Sequence, residues 1–161
     1  MEYIKRIVDE EIALQLKVAG AIQIKGPKWC GKTTSARQVA KSVLELQNPD
    51  LQDNYLELAE TKPSLLLEGD KPRLIDEWQL APRLWNAVRY DIDKTGETGS
   101  YILTGSAVPL EDEKSKDLHT GVGRFAIVDM KPMTLYESGD SNGKISLHEL
   151  LEGKRDIDGI K

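Results

Sequence analysis

Gly26-Pro27-Lys28-Trp29-Cys30-Gly31-Lys32-Thr33 fits the pattern G-x-x-x-x-G-K-[ST] at every fixed position. Residues of these types at this spacing can hold phosphate. Gly26 and Gly31 let the backbone curl so that successive amides point inward at phosphate oxygens. Lys32 can reach the β and γ oxygens, and the Thr33 hydroxyl can ligate Mg2+. A helix beginning near Lys32 adds the positive end of its dipole. The competing reading is a glycine turn that happens to carry a lysine. The flanks favour the phosphate loop, because an apolar run from Ala21 to Lys25 leads in and a helical segment follows. Pro27, Lys28, Trp29, Cys30 and Thr34 complete the stretch expected to surround the nucleotide.

Leu74-Ile75-Asp76-Glu77 is an apolar strand ending in adjacent acids. Asp76 at that strand end can hold a water of the magnesium shell, and Glu77 can orient or deprotonate the water that attacks a γ-phosphate. Taken alone, such acids are more often a solvated strand end; the upstream loop makes the functional reading the stronger one. Tyr101-Ile102-Leu103-Thr104-Gly105-Ser106 is a further strand that finishes in hydroxyls. Thr104 is the preferred polar sensor of the γ-phosphate, with Ser106 kept open beside it and a hydroxyl-rich turn as the bland alternative. Arg124 follows the glycine-containing stretch His119-Thr120-Gly121-Val122-Gly123. It could neutralise charge on a transferring phosphoryl group in its own subunit or in a neighbour, or serve only as a surface ion-pair partner. His119 has no second histidine at ligand spacing, which argues against a histidine metal site. Cys30 beside the helix start receives no nucleophilic role, since no base is recognisable near it. Trp78 and Trp85 are expected to pack around the acidic strand end and its following helix; Trp29 sits at the tip of the loop, where a nucleotide base or a partner could touch it, with packing the safer reading for all three.

The elements that must position these residues are legible in outline. Ile4, Ile7, Val8, Ile12 and Leu16 recur at helical spacing from Tyr3 to Leu16, and Gly20 follows as a stop signal. After Lys32 a helix carries Ala36, Val39, Ala40 and Val43 on one face and gives way to a strand around Val43 to Leu46. DLQDNYLELAE reads as a helix broken by Pro63, and Pro82 to Asp93 as another. Pro72 to Glu77, Ser100 to Leu103 and Phe125 to Val128 are the remaining strands, with EDEKSKD as a solvated loop. Strands alternating with helices predict an α/β fold with a mainly parallel sheet covered by helices.

A chain of 161 residues is the size of one ordinary domain. Its net charge of −5 argues against a general affinity for phosphate backbones or anionic membranes. No stretch of the sequence speaks directly for nucleic acid. The one cysteine excludes an internal disulfide and a multi-cysteine zinc site, and fits a reducing compartment. MEYIKRIVDEEI lacks the apolar core of a signal peptide and no membrane-length apolar run occurs, so the expected location is cytoplasmic. The polar tail GKRDIDGIK looks cut off rather than finished.

GAIQIKGPKWCGKTTSA, PRLIDEWQLAPRLWNAVR, YILTGSAVP, HTGVGRF and MKPMTLYESGDSNGKISLHEL, in this order, resemble the prokaryotic AAA-superfamily proteins labelled predicted ATPases or ATP-binding proteins. The resemblance spans nearly the whole chain. It implies a P-loop NTPase core of the ASCE/AAA-like type, a three-layer sandwich with five strands in the order 5-1-4-3-2. On this resemblance Gly26 to Thr33 is the Walker A loop, Asp76 and Glu77 are the Walker B pair, and Thr104 holds the sensor position. Thr120 stands where the family usually has serine. Relatives continue into a helical region and a further domain, so residues 1–161 are expected to be a single ATPase core truncated at the C-terminus. Self-association or a missing C-terminal part are then the expected protein partners.

The leading expectation is an ATP-binding, Mg2+-dependent ATPase in which Lys32 and the loop amides bind phosphates, Thr33 and Asp76 hold the metal, and Glu77 activates water. Two alternatives stay open. One is a nucleotide-binding or assembly module with little turnover; the other is a small-molecule kinase, disfavoured by the Asp-Glu pair and the LTGS strand. A GTPase is further off still, because no Asn-Lys-x-Asp motif is present.

Overall fold

Short apolar runs with few polar interruptions suit strands covered on both faces, and β1 (Ala21–Lys25), β2 (Ser42–Glu45), β3 (Arg73–Asp76), β4 (Tyr101–Thr104) and β5 (Phe125–Asp129) form one sheet. The computed structural model describes residues 2–105, 123–144 and 147–153. Spatial order is β2-β3-β4-β1-β5, and every pairing is parallel. This is the order 5-1-4-3-2 read from the other edge. The helices are α1 (Val8–Val18), α2 (Lys32–Val39), α3 (Gln52–Thr61), α4 (Pro63–Leu66), α5 (Arg83–Thr95) and α6 (Leu147–Leu151), with a 3-10 turn at Trp78–Leu80.

The period-two alternation of each strand sorts its side chains between two cores. Ile22 and Ile24 of β1, Leu74 of β3, Ile102 of β4 and Val128 of β5 pack with Ile12 of α1 and Ala36 of α2. On the other face Ala21, Leu44, Ile75, Tyr101 and Leu103 pack with Ala59 of α3, Leu66 of α4 and Leu84, Trp85 and Val88 of α5. Three layers result, as expected for an α/β sandwich. Trp85 stacks on Phe125 at 3.9 Å between ring centroids and tilts against Trp78 at 5.1 Å, so two of the three tryptophans pack as expected.

Several boundaries differ from the sequence expectation. Helix α1 starts at Val8 rather than Tyr3, and Ile4 and Ile7 are exposed. Pro63 does not simply break a helix: its missing N–H and fixed φ suit the first turn of α4. The 3-10 turn at Trp78–Leu80 was not expected, since three residues carry no periodicity. Contacts divide the chain into two units, Ile7–Pro132 with the sheet, and a second formed by residues up to Arg6 together with those from Met133 onward. In the second unit the Arg6 Nε donates to Glu137 Oε1 at 2.9 Å, both side chains being buried. The backbone N–H and hydroxyl of Thr134 donate to the other carboxylate oxygen. Among the described residues no helix is long and apolar enough to cross a membrane.

One edge of the sheet carries a titration that stability measurements can read. Lys71 Nζ lies 3.5 Å from the centroid of the Tyr101 ring and donates to Leu67 O, and the Tyr101 hydroxyl donates to Asp91 Oδ2 at 2.5 Å. Burial lowers Lys71 from 10.5 to about 8; Asp91 and Glu97 oppose this and Arg73 adds to it. Burial, then the bond to Asp91, pushes Tyr101 above its ordinary 10.0. As pH rises from about 8, the native state releases the Lys71 proton while the unfolded chain keeps it, so stability increases with pH. Above about 10 the sign reverses for Tyr101, whose proton the unfolded chain loses first. Urea unfolding at about pH 8, 9 and 10 is expected to show the rise in the native chain and its loss in Lys71→Met.

Candidate functional site

In a parallel sheet the C-terminal strand ends open onto one edge, and the register puts the predicted groups there together. Ile24 pairs with Thr104, and Thr104 with Asp76, so β1, β4 and β3 end side by side. Alternation then sets the face. Asp76 lies two residues after Leu74, and Thr104 two after Ile102, so both emerge on the face that α2 covers.

The loop after β1 has a backbone that could receive an anion. Trp29 and Gly31 adopt left-handed backbone at φ 65 and φ 98, alternating with ordinary conformations so that amides can converge. Gly26 cannot carry a side chain, because a Cβ there would collide with the carbonyl of Met130. Gly31 caps α2 without a side-chain bond to its amides, and no acid stands in the first turn, leaving the helix N-terminus for an external anion. Lys32 is only 8% exposed; its ammonium donates to Gly26 O at 3.0 Å and Pro27 O at 2.8 Å, which folds the charge inside the loop.

Asp76 joins the three segments. Its Oδ1 accepts from the Thr33 hydroxyl at 2.8 Å and from the Thr104 hydroxyl at 2.5 Å. Both hydroxyls spend their proton on the carboxylate, so their lone pairs remain for a cation or a water. Hard oxygen donors of this kind suit Mg2+. No group of three or more His, Cys, Asp or Glu side chains able to hold a metal occurs among the described residues. A magnesium ion here would complete its shell from water and phosphate oxygens, as that ion commonly does. The residues present therefore fit Mg2+ bound together with a nucleotide.

Glu77 leaves the strand in left-handed backbone, φ 57, and its Oε2 accepts from Gln79 Nε2 in the 3-10 turn. The two adjacent acids are thereby separated in environment. Among the described residues Asp76 is bound by two hydroxyls, whereas Glu77 meets a single amide.

The remaining expectations divide. Of the two readings of Trp29 the loop-tip one holds and packing does not: its backbone is left-handed, it is 91% exposed, and Lys28 Nζ lies 5.9 Å from its ring. Pro27, Lys28 and Thr34 are also exposed. The Cys30 side chain is buried in the α2-side core, with its thiol donating to Met130 O at 3.8 Å and its sulfur lying against Gly26 at the start of the loop. Arg124 is not brought to the site. It immediately precedes β5, and in a parallel sheet that puts it at the opposite edge, roughly 16 Å of strand away, where it pairs with Asp93 at 2.6 Å. A role for Arg124 within its own subunit has no geometric support. Ser106, His119 and Thr120 lie outside the described residues. Gln79 was missed by sequence reasoning; its only signal was an amide two residues after the acid.

A cleft of about 710 Å3 between α4 and α5, lined by Leu67, Ala87, Tyr90 and Asp91 among others, lies in the other helical layer and shares no residue with this site. It lacks the convergence of loop, acid and hydroxyl found at the strand ends.

The family described as AAA domain matches residues 18–139. Uncharacterized proteins of Mycobacterium tuberculosis and Mycobacterium bovis are each 32% identical in an alignment of 129 positions that covers 76% of this chain and 27% of theirs. The chain thus spans about a quarter of the length of these curated relatives. Among solved structures, C. elegans PCH-2 aligns over 78% of this chain and 41% of its own at 20% identity, with a TM-score of 0.39, too distant to bear on mechanism.

Proposed function

The chain belongs to the AAA domain family, and from that premise we propose that it binds ATP with Mg2+ at the loop of residues 26–34 and hydrolyses it. Family membership supports a P-loop ATPase-type nucleotide-binding module. The observation that carries the finer reading is the shared acceptor Asp76 Oδ1, which ties the loop through Thr33, the acidic strand end and β4 through Thr104 into one site.

In this reading the loop amides and Lys32 hold the phosphates, offering fixed positive charge to an anion at low reorganisation cost. Thr33 and Asp76 hold Mg2+, which when bound neutralises charge on the phosphate oxygens. Thr104 fixes the Asp76 carboxylate from the β4 side. Glu77 orients the attacking water and takes its proton, since its carboxylate is the less committed of the pair. Isothermal titration with ATP, and phosphate release with and without EDTA, test this directly. Binding and turnover are both expected with Mg2+, and turnover is expected to vanish with EDTA. Phosphate release that ignores EDTA would overturn the metal assignment.

The placement of Arg124 favours a second reading, in which one chain binds ATP but turns it over slowly until a neighbour supplies a cation. Specific turnover would then rise with protein concentration. Flat specific turnover would remove this reading.

A further inference from the structure

We infer that Gln79 is a positioning residue that holds the Glu77 carboxylate against the exit of β4; the inference rests on the reading of Glu77 as the water-activating acid. Gln79 follows Glu77 by two residues in the 3-10 turn, which closes through Leu80 N–H to Glu77 O and Ala81 N–H to Trp78 O, both at 3.0 Å. The turn is anchored by the Trp78 ring on Trp85. From it, Gln79 Nε2 donates to Glu77 Oε2. The other end of the amide lies against Gly105, the residue after Thr104. A Cβ at Gly105 would collide with Gln79 Oε1, and would come within 3.0 Å of its Cδ and 3.3 Å of Trp78 Cδ1. One side chain thus spans from Glu77, the acid just past β3, to the strand end that carries Thr104.

Two features mark this contact as more than packing. Gln79 Oε1 is buried with no hydrogen-bond partner among the described residues, a cost that leucine at the same place would avoid. Glu77 itself is held in left-handed backbone, which non-glycine residues seldom adopt. Only the orientation with N–H2 toward Glu77 is compatible with an ionised carboxylate; the flipped amide would set oxygen against oxygen. An unpaired buried acceptor and a strained acid are retained together, and both are explained if the amide fixes the carboxylate direction. Gly105 is then required as glycine to admit the amide.

Steady-state ATP turnover, ATP affinity and the pH profile of kcat in Gln79→Leu, Gln79→Glu and Glu77→Gln test the inference, with folding checked by thermal unfolding. Gln79→Leu is expected to lower kcat roughly tenfold while ATP affinity stays within about twofold. Gln79→Glu sets a second carboxylate against the first and is expected to move the acid limb of the kcat profile to higher pH. A merely structural glutamine would move stability but not that limb. If Glu77→Gln abolishes turnover while both Gln79 variants keep the parental kcat and pH profile, the positioning role is wrong and the acid assignment stands. If Glu77→Gln turns over normally, the acid assignment fails and the inference falls with it.

Discussion

Lys32→Ala is expected to weaken ATP binding by about 100-fold, or about 3 kcal/mol, without unfolding the chain. The ammonium is held inside the loop by two carbonyls, at 3.0 Å from Gly26 O and 2.8 Å from Pro27 O. Its removal subtracts the one full positive charge folded into the loop. It also leaves two carbonyl dipoles turned inward with negative ends where an anion must sit. Both changes act in the same direction. Charge-assisted bonds to phosphate are among the stronger ones available, and the site is partly shielded from water, so screening does not erase the loss. Lys32→Arg is expected to bind nearly as poorly, because a planar fork cannot occupy the compact position that an ammonium fills between two carbonyls. Isothermal titration with ATP in the presence of Mg2+ measures the effect, and thermal unfolding separates it from loss of fold. An affinity within twofold of the parent would remove the loop from the binding site.

Glu77→Gln is expected to lower kcat by about 10²- to 10⁴-fold while ATP affinity is retained, the usual effect of deleting a general base. The change is isosteric and keeps a polar group beside Gln79, so the geometry of the turn survives. Proton acceptance is what disappears. The choice between the two acids rests on their partners. Asp76 gives one oxygen to two hydroxyls, whereas Glu77 gives one to a single amide and is half-buried beside the site. Asp76→Asn makes the contrast: it is expected to raise the Mg2+ concentration needed for turnover, since a neutral amide oxygen is a weaker donor to a hard cation than a carboxylate. Phosphate release under saturating ATP, paired with binding by titration, distinguishes the two. Retained turnover in Glu77→Gln would overturn its role as base.

Much of this site was legible because its parts are local patterns. The run Gly26 to Thr33 carries its own conformational demands, and Leu74 to Asp76 and Ile102 to Thr104 show by alternation that acid and hydroxyl share a face with the apolar residues two places before them. Arg124 was legible too, had its place before rather than after a strand been weighed. In a parallel sheet that position lies at the far edge. For Trp29 the sequence left the loop tip and packing both open, with packing the safer reading because large aromatics usually pack; the structure exposes it on a left-handed backbone that no local pattern announces. Gln79 gave no periodic signal, because a three-residue turn has none, and its contact with Gly105 joins residues 26 positions apart.

Local sequence encodes the α/β class, the G-x-x-x-x-G-K-T loop, the acids at one strand end and the hydroxyl at another, since each lies within a few consecutive residues. The tertiary structure alone decided that Thr33 and Thr104 meet on one oxygen of Asp76, that Glu77 is held by Gln79, and that Arg124 lies elsewhere. The physical reason is range. Propensity and alternation act between neighbours in sequence, whereas these contacts arise from strand register and from parallel crossovers that bring residues 28 to 43 positions apart within hydrogen-bond distance.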